Sequence, residues 1–184
     1  MTKSDSLVTP GRYAYWRVST PIHLTIGSHM KMKRGSNLPD EHHVARHVPL
    51  KKLLRDADGN VLGVLPIAFE VRPIDGNALS VNWLEYFAGT QDNQLIETAR
   101  AVSTTKHIGK SSAFAIGNVA IIKKTCAKVG TPVRVLYAPG NGNPSHSQIR
   151  NVRVDDLDLM AALASRDCFP VLKPSPPATP PTPS

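Results

Sequence analysis

The sequence predicts an α+β domain: a single mixed, mainly antiparallel sheet packed by two or three helices, flanked by disordered termini. Three observations predict it. Hydrophobic periods of two residues and of 3.6 residues both occur between positions 37 and 172. The β-type runs are joined by short turn sequences, DADGN (56–60) and PIDGN (73–77), which suit hairpins better than crossovers. No segment repeats at a fixed period.

The 184 residues are a one-domain length, and composition divides them into three parts. Residues 1–36 hold no sustained period and read as a poorly structured extension. Short strands are expected at Tyr13–Val18 and Ile22–Ile26. Residues 27–30, GSHM, match the remnant an expression tag leaves, so residues 1–31 read as non-native as readily as native. Residues 37–172 form the domain. Residues 173–184, KPSPPATPPTPS, carry six prolines in twelve positions and read as a disordered, polyproline-like tail.

Within the domain, Asp40 is a candidate cap for a short helix, EHHVARHV, ending before Pro49. LKKLLR (50–55), the Asp58-Gly59 turn and Val61–Leu65 read as a hairpin. Ala68–Arg72 alternates as a strand, Leu79–Val81 reads as a short strand, and Trp83–Phe87 as a helical turn or buried corner. From Asp92, a candidate N-cap, Leu95, Ile96, Ala99 and Val102 recur at helical spacing. Residues 103–112 read as a loop and Ala113–Ile116 as a strand. Asn118–Val129 reads as a helix stopped by Gly130, with a strand competing over Val119–Ile122. Pro132–Tyr137 and Ser147–Val154 are strands around the turn-rich loop 139–145, and a final helix spans Leu157–Ser165.

Charge is the sharpest functional signal. The formal charge is +8, and Thr98–Val154 holds nine basic residues with no Asp or Glu in 57 positions. A one-signed segment attracts phosphate wherever it is exposed. Lys123, Lys124, Arg134, Arg150 and Arg153 are its candidate ligand contacts. Aromatic residues are 5% of the chain, so phosphate contact is expected without a base-stacking platform.

Histidine is the side chain suited to proton transfer near neutral pH. His146 opens a strand after the loop PGNGNPS, between Ser145 and Ser147. The glycines of that loop could offer backbone N–H groups to an anion. His43 and His47 share a face if EHHVARHV is helical, but no third ligand accompanies them, and no metal site or cofactor is expected. In the run IAFEVRPIDGNALSVNWLEYF (67–87), Arg72 is expected to need a bidentate anion, either a carboxylate such as Glu85 or a bound phosphate. Ser80 and Asn82 share one strand face there, Asn82 being also a candidate cap for the Trp83 turn. Arg72, Ser80, Asn82, Glu85 and His146 are thus candidates for one pocket.

The P-loop, GxSxG and GxGxxG patterns are absent. Cys126 and Cys168 fit reduced, buried thiols better than a disulfide framework. No apolar run approaches the ~20 residues that span a bilayer, so no membrane association and a cytoplasmic location are expected. The favoured function is a small basic domain binding a phosphate-bearing ligand, nucleic acid or a phosphorylated small molecule. Two further readings stay open. One is an enzyme acting on a phosphodiester or nucleotide, with His146 and the His43/His47 pair as acid and base and Arg72 on a phosphoryl oxygen. The other is an interaction subunit for an acidic protein.

Overall fold

The structure, a computed structural model, describes residues 32–140 and 142–176. The expectations placed on residues 1–31, the GSHM sequence among them, and on residues 177–184 lie outside this range. The α+β architecture is present: eight strands and three α-helices, with every strand pairing antiparallel.

The strands are β1 (His43–Val48), β2 (Leu53–Arg55), β3 (Val61–Val64), β4 (Ala78–Trp83), β5 (Ala113–Asn118), β6 (Arg134–Tyr137), β7 (His146–Arg150) and β8 (Val171–Pro174). The helices are α1 (Gln91–Ser103), α2 (Val119–Lys128) and α3 (Leu157–Ala164). The main sheet runs β6-β7-β4-β1-β5-β8, and β2 and β3 form the separate hairpin that Asp58-Gly59 announces. Gly59 takes a φ of 84°, which its turn requires.

EHHVARHV is a strand, not a helix. Its apolar positions 44, 45 and 48 imitate a helical stripe because the strand is buried on both sides. Val44 and Val48 enter one core and Ala45 the other. Asp40 caps no helix and pairs with Lys123 at 2.6 Å. The strand expected at Ala68–Arg72 is also absent. Pro66–Phe69 is a 3-10 turn with proline in its first turn, and the adjacent Ala68 and Phe69 are both buried, which no one-faced strand achieves.

The helices follow their sequence signals. The side chain of Thr90, rather than Asp92, caps α1 by accepting from the Asn93 amide. Asn118 caps α2 and Asp156 caps α3 in the same way, and the cap at Asn118 decides Val119–Ile122 as helix over strand. β8 is an edge strand, where proline is tolerated. It extends order through Lys173 and Pro174, the first residues of the expected tail.

The sheet separates two cores. Helices α2 and α3 pack with Val44, Val81, Ala115 and Ile149 on one side. Helix α1 packs Leu95, Ala99 and Val102 against Ala45, Phe114 and Ile116 on the other. Cys126 and Cys168 are free thiols in the first core, and burial pushes each up to about 12. Among the described residues, no helix is long and apolar enough to cross a membrane.

Candidate functional site

Strand alternation sends Leu79, Val81 and Trp83 of β4 into the larger core and leaves Ser80 and Asn82 on the α1 side. The register pairs Asn82 with His146 and Ser80 with Gln148. His146, Gln148 and Arg150 therefore share the face of Ser80. Beyond them, Arg134 of β6 stands opposite Arg150. Helix α1 covers this face over β1 and β5. Over β4, β7 and β6, the side chains of Ser80, Arg134 and Arg150 are exposed.

The ring of His146 lies between two oxygens. Its Nδ1 is 2.6 Å from the carbonyl oxygen of Ala138 and its Nε2 is 3.3 Å from Ser80 Oγ. A carbonyl only accepts, so Nδ1 carries the proton and donates. Nε2 then presents its lone pair to the Ser80 hydroxyl. The backbone of His146 is held as well, by the Ala138 amide donating to its carbonyl and by its own amide donating to Asn143.

The other candidates in this region support the site from inside. Asn82 accepts from Asn143 Nδ2 at 2.8 Å, and its own amide donates to the Ala45 carbonyl. Ser145 Oγ donates to Asn143 Oδ1, and Ser147 Oγ donates to the Ser145 carbonyl. All four side chains are buried, so Asn82, Ser145 and Ser147 anchor the loop instead of facing solvent. The Gly140 amide donates to Asn143 within the loop. Thr104 Oγ1 reaches the Gly142 carbonyl at 2.8 Å, closing the loop onto the end of α1.

Next to Ser80 opens a cavity of about 310 Å³ lined by Arg46, Lys52, Glu70, Arg72, Asp75, Ala78, Leu79, Ser80 and Lys106. Arg72 belongs to it, but Arg72 pairs bidentately with Asp75 at 3.0 and 3.1 Å and not with Glu85. The proximity in sequence won: Asp75 closes the same 3-10 turn that Arg72 opens. Glu85 binds the His43 backbone amide and Nδ1 instead, the latter at 2.7 Å. Asn82 lies within β4 and caps nothing.

Arg46 is the residue that sequence reasoning missed. The β1–β4 register holds only Val44↔Trp83 and Ala45↔Asn82. Past those pairs the guanidinium donates to the Ser80 carbonyl at 2.7 Å and twice to the Ala68 carbonyl, at 2.8 and 2.6 Å. It lies over the Phe69 ring, 5.7 Å from its centroid. No carboxylate pairs with it among the described residues. Burial lowers its pKa to about 10, so it stays cationic at neutral pH. Lys52 and Lys106, also missed, are held below the usual lysine range, first by crowding protein and then by Arg46. An arginine between Val44, Ala45 and Val48 was the available signal for Arg46. Lys106, in an aperiodic loop, offered none.

The strand geometry also separates His43 from His47. Four residues along a strand span ~13 Å, so the pair cannot share a metal ion. Neither lines the cavity. His47 packs on Phe114 with its Nε2 enclosed and unbonded, and burial followed by Lys106 and Arg46 lowers its pKa to about 4. Its neutral form therefore stabilises the fold fully above the unfolded value of 6.5, and this is lost as pH falls towards 4. The full shift converts to ~3 kcal/mol, and solvent reaching the half-exposed ring reduces it to about 1–2 kcal/mol. Urea unfolding at pH 7 and pH 4.5 should show this difference, and His47→Leu should remove it.

The charged candidates divide between two layers. Lys123 and Lys124 lie on α2, across the sheet from Arg134 and Arg150, and Lys123 is engaged by Asp40. Arg153 donates to the Gly130 carbonyl and Thr131 Oγ1 and lies 3.8 Å from Asp156. The carboxylate-free segment thus forms no single continuous face. No protein-family model, no curated protein and no solved structure matches the chain.

Proposed function

We propose that the chain binds a phosphate-bearing anionic ligand on the open face of β4, β7 and β6 and in the adjoining cavity. One observation carries this reading. Arg134 and Arg150 stand directly opposite on neighbouring strands, where like charges repel, and neither has a carboxylate partner among the described residues. They hold Asn37 Oδ1 and the Gly76 carbonyl, neutral groups that leave both charges uncompensated. A phosphate across the pair relieves the repulsion through charge-assisted bonds. The cavity adds Arg46, Lys52 and Lys106 to the Arg72–Asp75 pair, with Glu70 the remaining carboxylate.

No Phe, Tyr or Trp side chain alternates onto this face of β4, β7 or β6, where His146 is the one ring. A nucleic-acid ligand would therefore be held by its backbone, with affinity set by salt and not by base identity. The test is titration of a fluorescent single-stranded oligonucleotide and of a nucleoside monophosphate at several salt concentrations. Arg134→Gln with Arg150→Gln should weaken oligonucleotide binding about tenfold and reduce the log–log salt slope by ~1.4. Lys123→Gln with Lys124→Gln should leave both nearly unchanged. Equal losses in the two double variants would mean diffuse charge attraction and no site. Absence of binding by either probe at low salt removes the reading.

A further inference from the structure

We propose that Ser80 and His146 are a nucleophile and its general base, and that they cleave phosphoesters held by the cations of the adjoining cavity. The inference rests on the anion-binding reading and adds a reaction to it.

Four observations converge. Ser80 is an exposed residue on the open face, where a substrate can approach it. His146 Nε2 is 3.3 Å away, and the Ala138 carbonyl at Nδ1 fixes the tautomer that a base toward Ser80 needs. The histidine is preorganised by the β6–β7 ladder and by the Asn82–Asn143–Ser145 network, all of whose members are buried. Ser80 also lines the cavity that holds Arg46, Arg72 and Lys106. A serine–histidine pair alone suits acyl or phosphoryl transfer. Cations beside the nucleophile select a substrate whose reacting centre carries anionic oxygens.

The reaction balances as two displacements at phosphorus. The Ser80 hydroxyl proton passes to His146 Nε2 as the Oγ–P bond forms. The bond from phosphorus to the leaving oxygen breaks, and Nε2 returns its proton to that oxygen, releasing an alcohol. Water then attacks phosphorus and gives one proton to Nε2. The P–Oγ bond breaks, and Nε2 restores the proton to Ser80 Oγ. The sum is hydrolysis, with no oxidant, reductant or further reactant.

The experiment uses the full chain with bis(p-nitrophenyl) phosphate and p-nitrophenyl phosphate as substrates, and p-nitrophenyl acetate as a neutral ester. Release of p-nitrophenol from a phosphoester is expected, falling at least ~100-fold in Ser80→Ala and in His146→Gln. A fluorophosphonate probe should add one label per chain, mapped to Ser80 by mass spectrometry, and label His146→Gln at least tenfold more slowly. Oligonucleotide binding and its salt slope, measured on the wild type alongside turnover, separate chemistry from binding. Wild-type turnover no faster than buffer with Ser80 unlabelled overturns the proposal, whether or not binding persists. So does turnover that survives Ser80→Ala, or Ser80-dependent cleavage of the acetate alone. If His146→Gln fails to fold, the label site and Ser80→Ala still decide.

Discussion

Arg46→Ala is expected to lower the unfolding free energy by about 2–4 kcal/mol. Two effects oppose each other. Removing an arginine that no carboxylate pairs with among the described residues, Asp75 acting only from a distance, relieves a desolvation cost, which by itself favours the variant. Against this stand three charge-assisted bonds, two to the Ala68 carbonyl and one to the Ser80 carbonyl. Each such bond contributes roughly 1.5–3 kcal/mol, and contact with the Phe69 face adds about 0.5–1 kcal/mol. The bonds win because the Ser80 carbonyl lies past the last β1–β4 pair and the Ala68 carbonyl in a 3-10 turn, so no strand amide replaces the guanidinium at either. Urea midpoints of the wild type, Arg46→Ala and Arg46→Met measure the balance. Methionine restores packing without donors, so it should recover less than half of the loss. An alanine variant as stable as the wild type would mean that Arg46 serves a ligand and not the fold.

Legibility in the sequence tracks how local the cause is. Helices α1, α2 and α3 could be read because a 3.6-residue stripe and a capping side chain lie within one short segment. The β2–β3 hairpin was equally local, set by Asp58-Gly59. β1 was not, since a strand buried on both faces loses the alternation that identifies it, and only the sheet order reveals why both sides are apolar. Arg72 found Asp75, three residues away, in preference to Glu85 in a different element. Ser80 and His146 were recognisable as reactive types, but their meeting depends on the β4–β7 register across 66 residues. The same register turns Asn82, Ser145 and Ser147 inward, which residue type could not indicate.

Gly117→Ala is expected to cost about 3 kcal/mol, near the upper end for overpacking. A Cβ built on Gly117 would lie 2.6 Å from the Cys168 carbonyl oxygen and 2.9 Å from Phe169 Cδ1. One obstacle is backbone and the other a nearly buried ring, so neither yields as an exposed side chain would. The backbone at Gly117 does not take the positive-φ form that favours glycine, so the cost is steric. The displaced ring has a definite route to the site. Phe169 packs on Phe69 at 5.2 Å, and Phe69 is the platform beneath Arg46. Movement of Phe169 therefore shifts the guanidinium that lines the cavity beside Ser80. The variant should lose both stability and anion affinity, whereas a simple strand defect would affect stability alone. Phe169→Leu in the Gly117→Ala background removes the ring collision but not the carbonyl collision. It should therefore restore only part of the loss, about 1 kcal/mol, a coupling that a double-mutant cycle in urea measures. Strictly additive effects would show that the ring does not transmit the strain.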